Sequence, residues 1–101
     1  MAIVAVSIAP LGQGASVSNY VAAAERVLES KPSIKRQIGP MFTTLEGDID
    51  EIMAAIKEMQ EAVFAAGAVR VSTVIKIDER RDKAITMEGK IRAVEEKLLQ
   101  E

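Results

Sequence analysis

Glu46 closes the run Met41-Phe42-Thr43-Thr44-Leu45-Glu46, which places a carboxylate, two hydroxyls and an aromatic ring in one short stretch. A carboxylate accepts hydrogen bonds from an amino group, hydroxyls complete a polar edge, and a ring offers a stacking surface, so the set suits recognition of a flat polar molecule. Tyr20 is a second ring able to stack, and Lys76 adds a cation. The same residues also fit a plainer arrangement, in which Glu46 pairs with Lys76 or Arg70 across a subunit interface and the threonines simply favour a strand. Both readings stay open at this level.

Other polar groups divide in the same way. Ser16 and Ser18 precede an apolar periodic segment, as helix caps do, although a loop at a helix N-terminus also offers N–H groups to an anion. Asp48 followed by Glu51 has capping-box spacing, with Asp in the Ser/Thr place. Gly12 and Gly14 do not form a phosphate loop, because the Lys and Ser/Thr of that motif do not follow. The run Glu79-Arg80-Arg81-Asp82-Lys83 alternates in sign and reads as a solvated or inter-subunit ion-pair turn, with phosphate recognition by Arg80 and Arg81 the competing possibility. Glu46, Asp48, Asp50 and Glu51 could hold a hard cation, but the last three fall in a first helical turn, where they favourably meet the helix dipole. No metal is expected, and no cofactor.

Composition narrows the chemistry further. The 101 residues contain no Cys, no His and no Trp. Thiolate metal sites, thiol nucleophiles and the commonest general base are therefore absent, which argues against most enzymes without removing catalysis by carboxylates, Lys or Tyr. Thirteen Lys and Arg against fifteen Asp and Glu leave a formal charge of -2, no excess with which to neutralise a row of phosphates, so nucleic acid is not an expected partner. The apolar opening from Ala2 to Ala9 lacks a cationic leader and falls short of the roughly 20 residues a membrane helix needs. A cytoplasmic protein with no membrane partner is the expectation, folded as a single domain over 1–101 with an apolar fraction of 49%.

Six elements and one appendage must position these groups. Ile3 to Ile8 is β-branched and apolar on both faces, as a strand covered on two sides would be. From Ser16, Val17, Tyr20, Val21, Ala24, Val27 and Leu28 mark one side of a helix that Ser30-Lys31-Pro32 ends. Ser33 to Ile38 and Met41 to Glu46 read as two strands joined at Gly39-Pro40. Ile49, Ile52, Met53, Ile56, Met59 and Val63 stripe a second helix, with Met53 and Met59 both at core spacing and Gly67 suited to the left-handed residue after it. Val69 to Asp78 alternates as a strand, and Thr86 caps a last helix carrying Met87, Ile91, Val94 and Leu98. The order β-α-β-β-α-β plus one helix predicts an α+β, ferredoxin-like domain: an antiparallel four-stranded sheet with the first strand between the third and fourth. Alternation then puts Phe42, Thr44 and Glu46 on the open sheet face with Ser7, Arg70, Ser72 and Lys76, opposite the helix side that receives Met41, Thr43 and Leu45. An apolar open face or edge requires burial by association.

Three segments carry a resemblance: Ser16-Val17-Ser18-Asn19-Tyr20-Val21, Pro40 to Asp48 and Ile75 to Lys83. They resemble the small ferredoxin-like thiamine-binding proteins of the YkoF-like superfamily, from the first strand to the end of the last helix. The resemblance implies a homotetramer built as a dimer of sheet-paired dimers, and binding of thiamine or its hydroxymethylpyrimidine portion without turnover. On it, Glu46, Thr44, Thr43, Phe42, Ser16, Ser18, Tyr20 and Lys76 become the candidate ligand-binding residues, with Glu46 accepting from the aminopyrimidine. The alternative is a structural or regulatory homo-oligomer with no small ligand. Phe42 stands where the family usually has a small residue, and Gln13-Gly14-Ala15 departs from a more hydroxyl-rich loop. An aromatic at 42 either stacks on a pyrimidine or fills the space a ligand would take.

Overall fold

A computed structural model describes residues 1–100. The chain runs β1 (Ala2–Pro10), α1 (Ser18–Leu28), β2 (Lys35–Ile38), β3 (Thr43–Gly47), α2 (Ile49–Ala65), β4 (Val71–Glu79) and α3 (Met87–Leu98). The four strands form one sheet in the order β2-β3-β1-β4, every neighbouring pair antiparallel. This is the expected ferredoxin-like α+β arrangement, with α3 as the additional helix.

The core lies between the sheet and the α1–α2 layer. Val4, Val6 and Ile8 of β1 and Leu45 of β3 point to the helices and meet Ala24 and Leu28 of α1 and Ile52, Ala55, Ile56, Met59 and Val63 of α2. Leu45, Ile52, Met59, Val4 and Val63 are the largest fully buried side chains, the interdigitated set on which the two layers close. Met53 departs from the expectation that both helix methionines are core: it is 38% exposed, and Ala55 takes the inward position. The buried face is carried by positions 52, 55, 56, 59 and 63, a stripe from which residue 53 is rotated away.

The helix starts divide. Asp48 caps α2 as expected, its Oδ2 accepting from the Glu51 N–H at 3.1 Å. Half of the capping box is diverted, since the Glu51 carboxylate accepts from Ser33 Oγ at 2.8 Å. Thr86 Oγ1 likewise accepts from the Gly89 N–H and starts α3. At α1 the expectation fails: Val17 occupies the N-cap position and no side chain caps the helix, so Ser16 and Ser18 are exposed side chains flanking it. The apolar stripe of α1 sets its position instead, with Ala24 and Leu28 buried and Tyr20 and Val27 packed beside them. Gly67, at φ +119°, is the left-handed residue after α2.

The two faces of the sheet are covered unequally. Cross-strand register puts Thr44, Ala5 and Lys76 in one row across the face away from α1 and α2, and Glu46, Ile3 and Asp78 in the next. On this face α3 crosses Ile3 through Met87, its single buried residue. The rest of the α3 stripe is uncovered within the chain, Ile91 at 48%, Val94 at 60% and Leu98 at 77% exposure. The free edge of β4 also carries exposed Val74, Ile75 and Ile77. Among the described residues no helix is long and apolar enough to cross a membrane.

Candidate functional site

Two cavities flank the sheet and divide part of the set that sequence alternation had put in one patch, Ser7 and Phe42 falling to one and Thr44 and Lys76 to the other. The first is a cleft of about 100 Å3 on the helix side, where β3 stops short of β1. β3 pairs with β1 only as far as Thr43 opposite Val6, whereas β4 follows β1 on to Pro10 opposite Val71. One flank of β1 from Ser7 onward therefore has no strand beside it. Ser7 and Ile8 line the cleft there, with the turn Gly39-Pro40-Met41-Phe42 facing them.

Glu25 of α1 forms the polar wall of this cleft. Its side chain is 12% exposed and pairs with Arg36 of β2 at 3.4 Å, whose Nη1 also donates to the Glu25 backbone carbonyl at 2.8 Å. Thr43 Oγ1 donates to Glu25 Oε2 at 3.0 Å. Each carboxylate oxygen carries two acceptor positions, so one donor apiece orients Glu25 and leaves acceptor capacity on both oxygens. The hydrogen bond from the guanidinium is charge-assisted, which fixes the carboxylate's orientation more firmly than a neutral donor would. Phe42 and Met41 also line the cleft. The cleft thus combines a fixed acceptor, a hydroxyl, an aromatic ring and the unpaired flank of a strand.

The second cavity, about 420 Å3, lies on the open face beneath α3 and is lined by Thr44, Lys76, Gln37, Asp78 and Lys90 together with apolar Ile3, Ala5, Ile77, Met87 and Ile91. Lys90 of α3 pairs with Asp78, and Lys35 of β2 pairs with Glu88. These contacts hold the carboxyls of Asp78 and Glu88 below their ordinary values, the hydrogen bond from the lysine being the first cause in each case. They also raise the Lys35 ammonium.

The eight expected ligand-binding residues are therefore dispersed. Phe42 and Thr43 reach the helix-side cleft, and Thr44 and Lys76 the open-face cavity. Phe42 does not share a face with Thr44 and Glu46, because it precedes β3 and belongs to the turn, where strand alternation no longer governs direction. Glu46 is on the open face as expected, and within the chain its Oε1 accepts from the Met87 N–H at 2.7 Å, beneath α3. Tyr20 donates to Gln13 Oε1 at 2.9 Å and lines neither cavity. Ser16 and Ser18 are exposed in the segment entering α1. In the turn after β4, Arg80 pairs with Asp82, and Arg81 lies 3.7 Å from Glu79, the ion-pair arrangement that sign alternation suggests.

Sequence reading passed over Glu25 and Arg36. A signal existed: Arg36 alternates with Lys35 and Gln37 and so faces the helices, and a cation turned inward requires a carboxylate within reach. Glu25, off the apolar stripe of α1, is the one that meets it.

Sheet order, helix placement and the appended α3 define a ferredoxin-like α+β protein. The chain belongs to the family described as Thiamine-binding protein, which it matches over residues 4–95. UPF0045 protein YqgV of Bacillus subtilis is 44% identical and the match covers 97% of this chain and 98% of the relative. UPF0045 protein MJ1052 of Methanocaldococcus jannaschii is 48% identical, with 90% and 89% covered. The crystal structure of MJ1052 superposes with a TM-score of 0.86 at 46% identity, covering 94% of this chain and 96% of that one. A Thermotoga maritima protein, provisionally named for thiamine biosynthesis or salvage, superposes with a TM-score of 0.78 at 26% identity over 92% and 97% of the two chains.

Proposed function

We propose that this chain is a non-catalytic, cytoplasmic binding protein for thiamine or its hydroxymethylpyrimidine portion, and that the helix-side cleft is the site. The observation that carries the reading is Glu25, a largely sequestered carboxylate oriented by Thr43 and Arg36 in a cleft that Phe42 also lines. An aminopyrimidine presents an amino donor beside ring-nitrogen acceptors. Glu25 supplies the acceptor for the first, the free flank of β1 at Ser7 and Ile8 supplies backbone groups for the second, and Phe42 and Met41 supply the apolar faces. The family description and the name of the Thermotoga neighbour support the choice of ligand class. Neither cavity brings His or Cys to a ligand, and the chain has none, which favours binding over turnover.

The protein acts in this reading as a homotetramer, a dimer of dimers. The unpaired β4 edge, with Val74, Ile75 and Ile77, and the α3 stripe of Ile91, Val94 and Leu98 are two separate apolar surfaces, enough for two different contacts between copies. The open-face cavity beneath α3 would be closed by such a contact.

Calorimetric titration with thiamine, its phosphates and hydroxymethylpyrimidine tests the reading directly. Saturable heat with a pyrimidine ligand supports it. No heat and no thermal shift with any of them would leave a purely structural or regulatory oligomer as the better account.

A further inference from the structure

We infer that Phe42 limits the helix-side cleft to a single ring, so that the site takes a free aminopyrimidine in preference to a two-ring ligand carrying the same pyrimidine. The inference rests on the binding reading above and goes beyond it by naming the residue that sets ligand size.

The space itself makes the first argument. The cleft holds about 100 Å3. An apolar cavity of ~150 Å3 accommodates one benzene-sized ring, and sites that enclose whole drug-sized ligands begin at ~300 Å3. With one side open, the cleft admits one substituted six-membered ring, and anything attached to that ring must leave through the mouth.

The walls decide where that mouth can widen. Val6, Ile8, Thr43 and Met59 belong to the packed interior, with exposures of 3%, 8%, 7% and 1%, and cannot retreat without opening the core. Val21, Ile38, Met41 and Phe42 are wall residues outside that interior, and Phe42, 37% exposed, is the one aromatic ring among them. Its backbone is nonetheless pinned. The Gly39 N–H donates to the Phe42 carbonyl at 3.0 Å, Pro40 fixes φ at the next position, and a Cβ on Gly39 would fall 2.5 Å from the Phe42 oxygen. A tight turn therefore holds a bulky, partly exposed ring in the wall of a one-ring cleft, where it stands against a second ring on the ligand.

Stacking of a cationic ring on Phe42 is the opposite use of an aromatic at this place, and it predicts the opposite effect of removing the ring. Titration calorimetry on the intact oligomer with hydroxymethylpyrimidine and with thiamine, for the wild type, Phe42→Ala and Phe42→Leu, separates the two. Because residue 42 lies outside the packed interior, both variants should fold, and Phe42→Leu keeps an apolar side chain as a second check. The wild type is expected to bind the free pyrimidine roughly tenfold or more tightly than thiamine. Phe42→Ala takes an apolar face from both ligands but removes an obstacle for thiamine alone, so the ratio of thiamine to pyrimidine affinity should rise roughly tenfold or more, with Phe42→Leu falling between. Thiamine binding as tightly as the pyrimidine to all three chains, or an affinity ratio that Phe42→Ala leaves unchanged or lowers, overturns the size limit and leaves the binding reading standing. Silence of all three chains with both ligands overturns the binding reading and the size limit together.

Discussion

The Glu46 carboxylate accepts a hydrogen bond from the Met87 N–H at 2.7 Å, joining β3 to the first residue of α3 across 41 positions of sequence. This contact fastens the last helix to the open sheet face. The N-terminal N–H groups of a helix have no partner within it, and the positive end of the helix dipole lies there, so a buried carboxylate satisfies a donor and meets the dipole at once. Glu46→Ala is expected to cost about 1 to 3 kcal/mol, because it leaves the Met87 N–H unpaired under the helix. Hydrogen exchange should show α3 amides opening first while the β1–β3 ladder stays protected. Since Glu46 lines neither the helix-side cleft nor its turn, pyrimidine affinity should not change; a loss of binding in a variant that stays folded would move the site to the open face.

Glu25 is expected to behave in the reverse manner. Glu25→Gln keeps the shape, retains an acceptor for Thr43 and gives up the charge that pairs with Arg36. Weakening a buried, charge-assisted contact to a ligand amino group by about 1.4 kcal/mol is tenfold in affinity. Calorimetry with hydroxymethylpyrimidine reads that loss, and wild-type affinity in the variant would rule out the carboxylate as the ligand's acceptor.

Acid should release α3 before it unfolds the sheet. The Asp78 and Glu88 carboxyls are held below their ordinary values by Lys90 and Lys35. A carboxyl whose folded pKa is depressed adds stability that is complete above its unfolded pKa and is lost as pH falls through the folded value. Both pairs are exposed, so the effect is small and shrinks further with added salt. NMR shifts of α3 methyl groups followed from neutral to acid pH should move below the ordinary carboxylate range, ahead of those of Leu45 and Val4. Simultaneous loss of all of them would show that the pairs do not fasten α3 separately.

Helix starts offer a paired comparison. Asp48→Ala removes the cap of α2 and is expected to lower stability by ~1 kcal/mol, seen as a reduced denaturation midpoint. Ser16→Ala and Ser18→Ala should stay within ~0.5 kcal/mol of the wild type, as surface changes do, because neither serine caps α1. A drop after either serine change comparable to that of Asp48→Ala would mean that one of them caps α1 in solution.

Association through the free edge of β4 is open to a single charge. Ile77 is 47% exposed on that edge. Ile77→Lys places a like charge on both copies of any symmetric strand pairing, a device by which natural edge strands avoid one another. Light scattering should then report a smaller assembly than the wild type. An unchanged mass would assign the contact between copies to another surface.

Periodicity alone determined a great deal of this protein. A β-branched opening, two helical stripes, the Gly39-Pro40 turn and the alternation after Gly67 lead to the strand order, because right-handed crossovers leave one way to cover a single sheet face with two helices. The caps at Asp48 and Thr86 were legible too, since capping is local chemistry within four residues. What alternation could not supply was where each strand stops. β3 begins at Thr43, so Phe42 falls in the turn and leaves the row of Thr44 and Glu46 for the opposite side of the sheet. Nor does a local pattern reveal partners distant in sequence. Arg36 and Thr43 converge on Glu25 from 11 and 18 residues away, and Glu46 finds the Met87 N–H only because α3 folds back over β1. Secondary structure follows from the spacing of neighbours along the chain, whereas a binding cleft follows from which strand ends first and what the helices carry across to it, and those are fixed only when the layers pack.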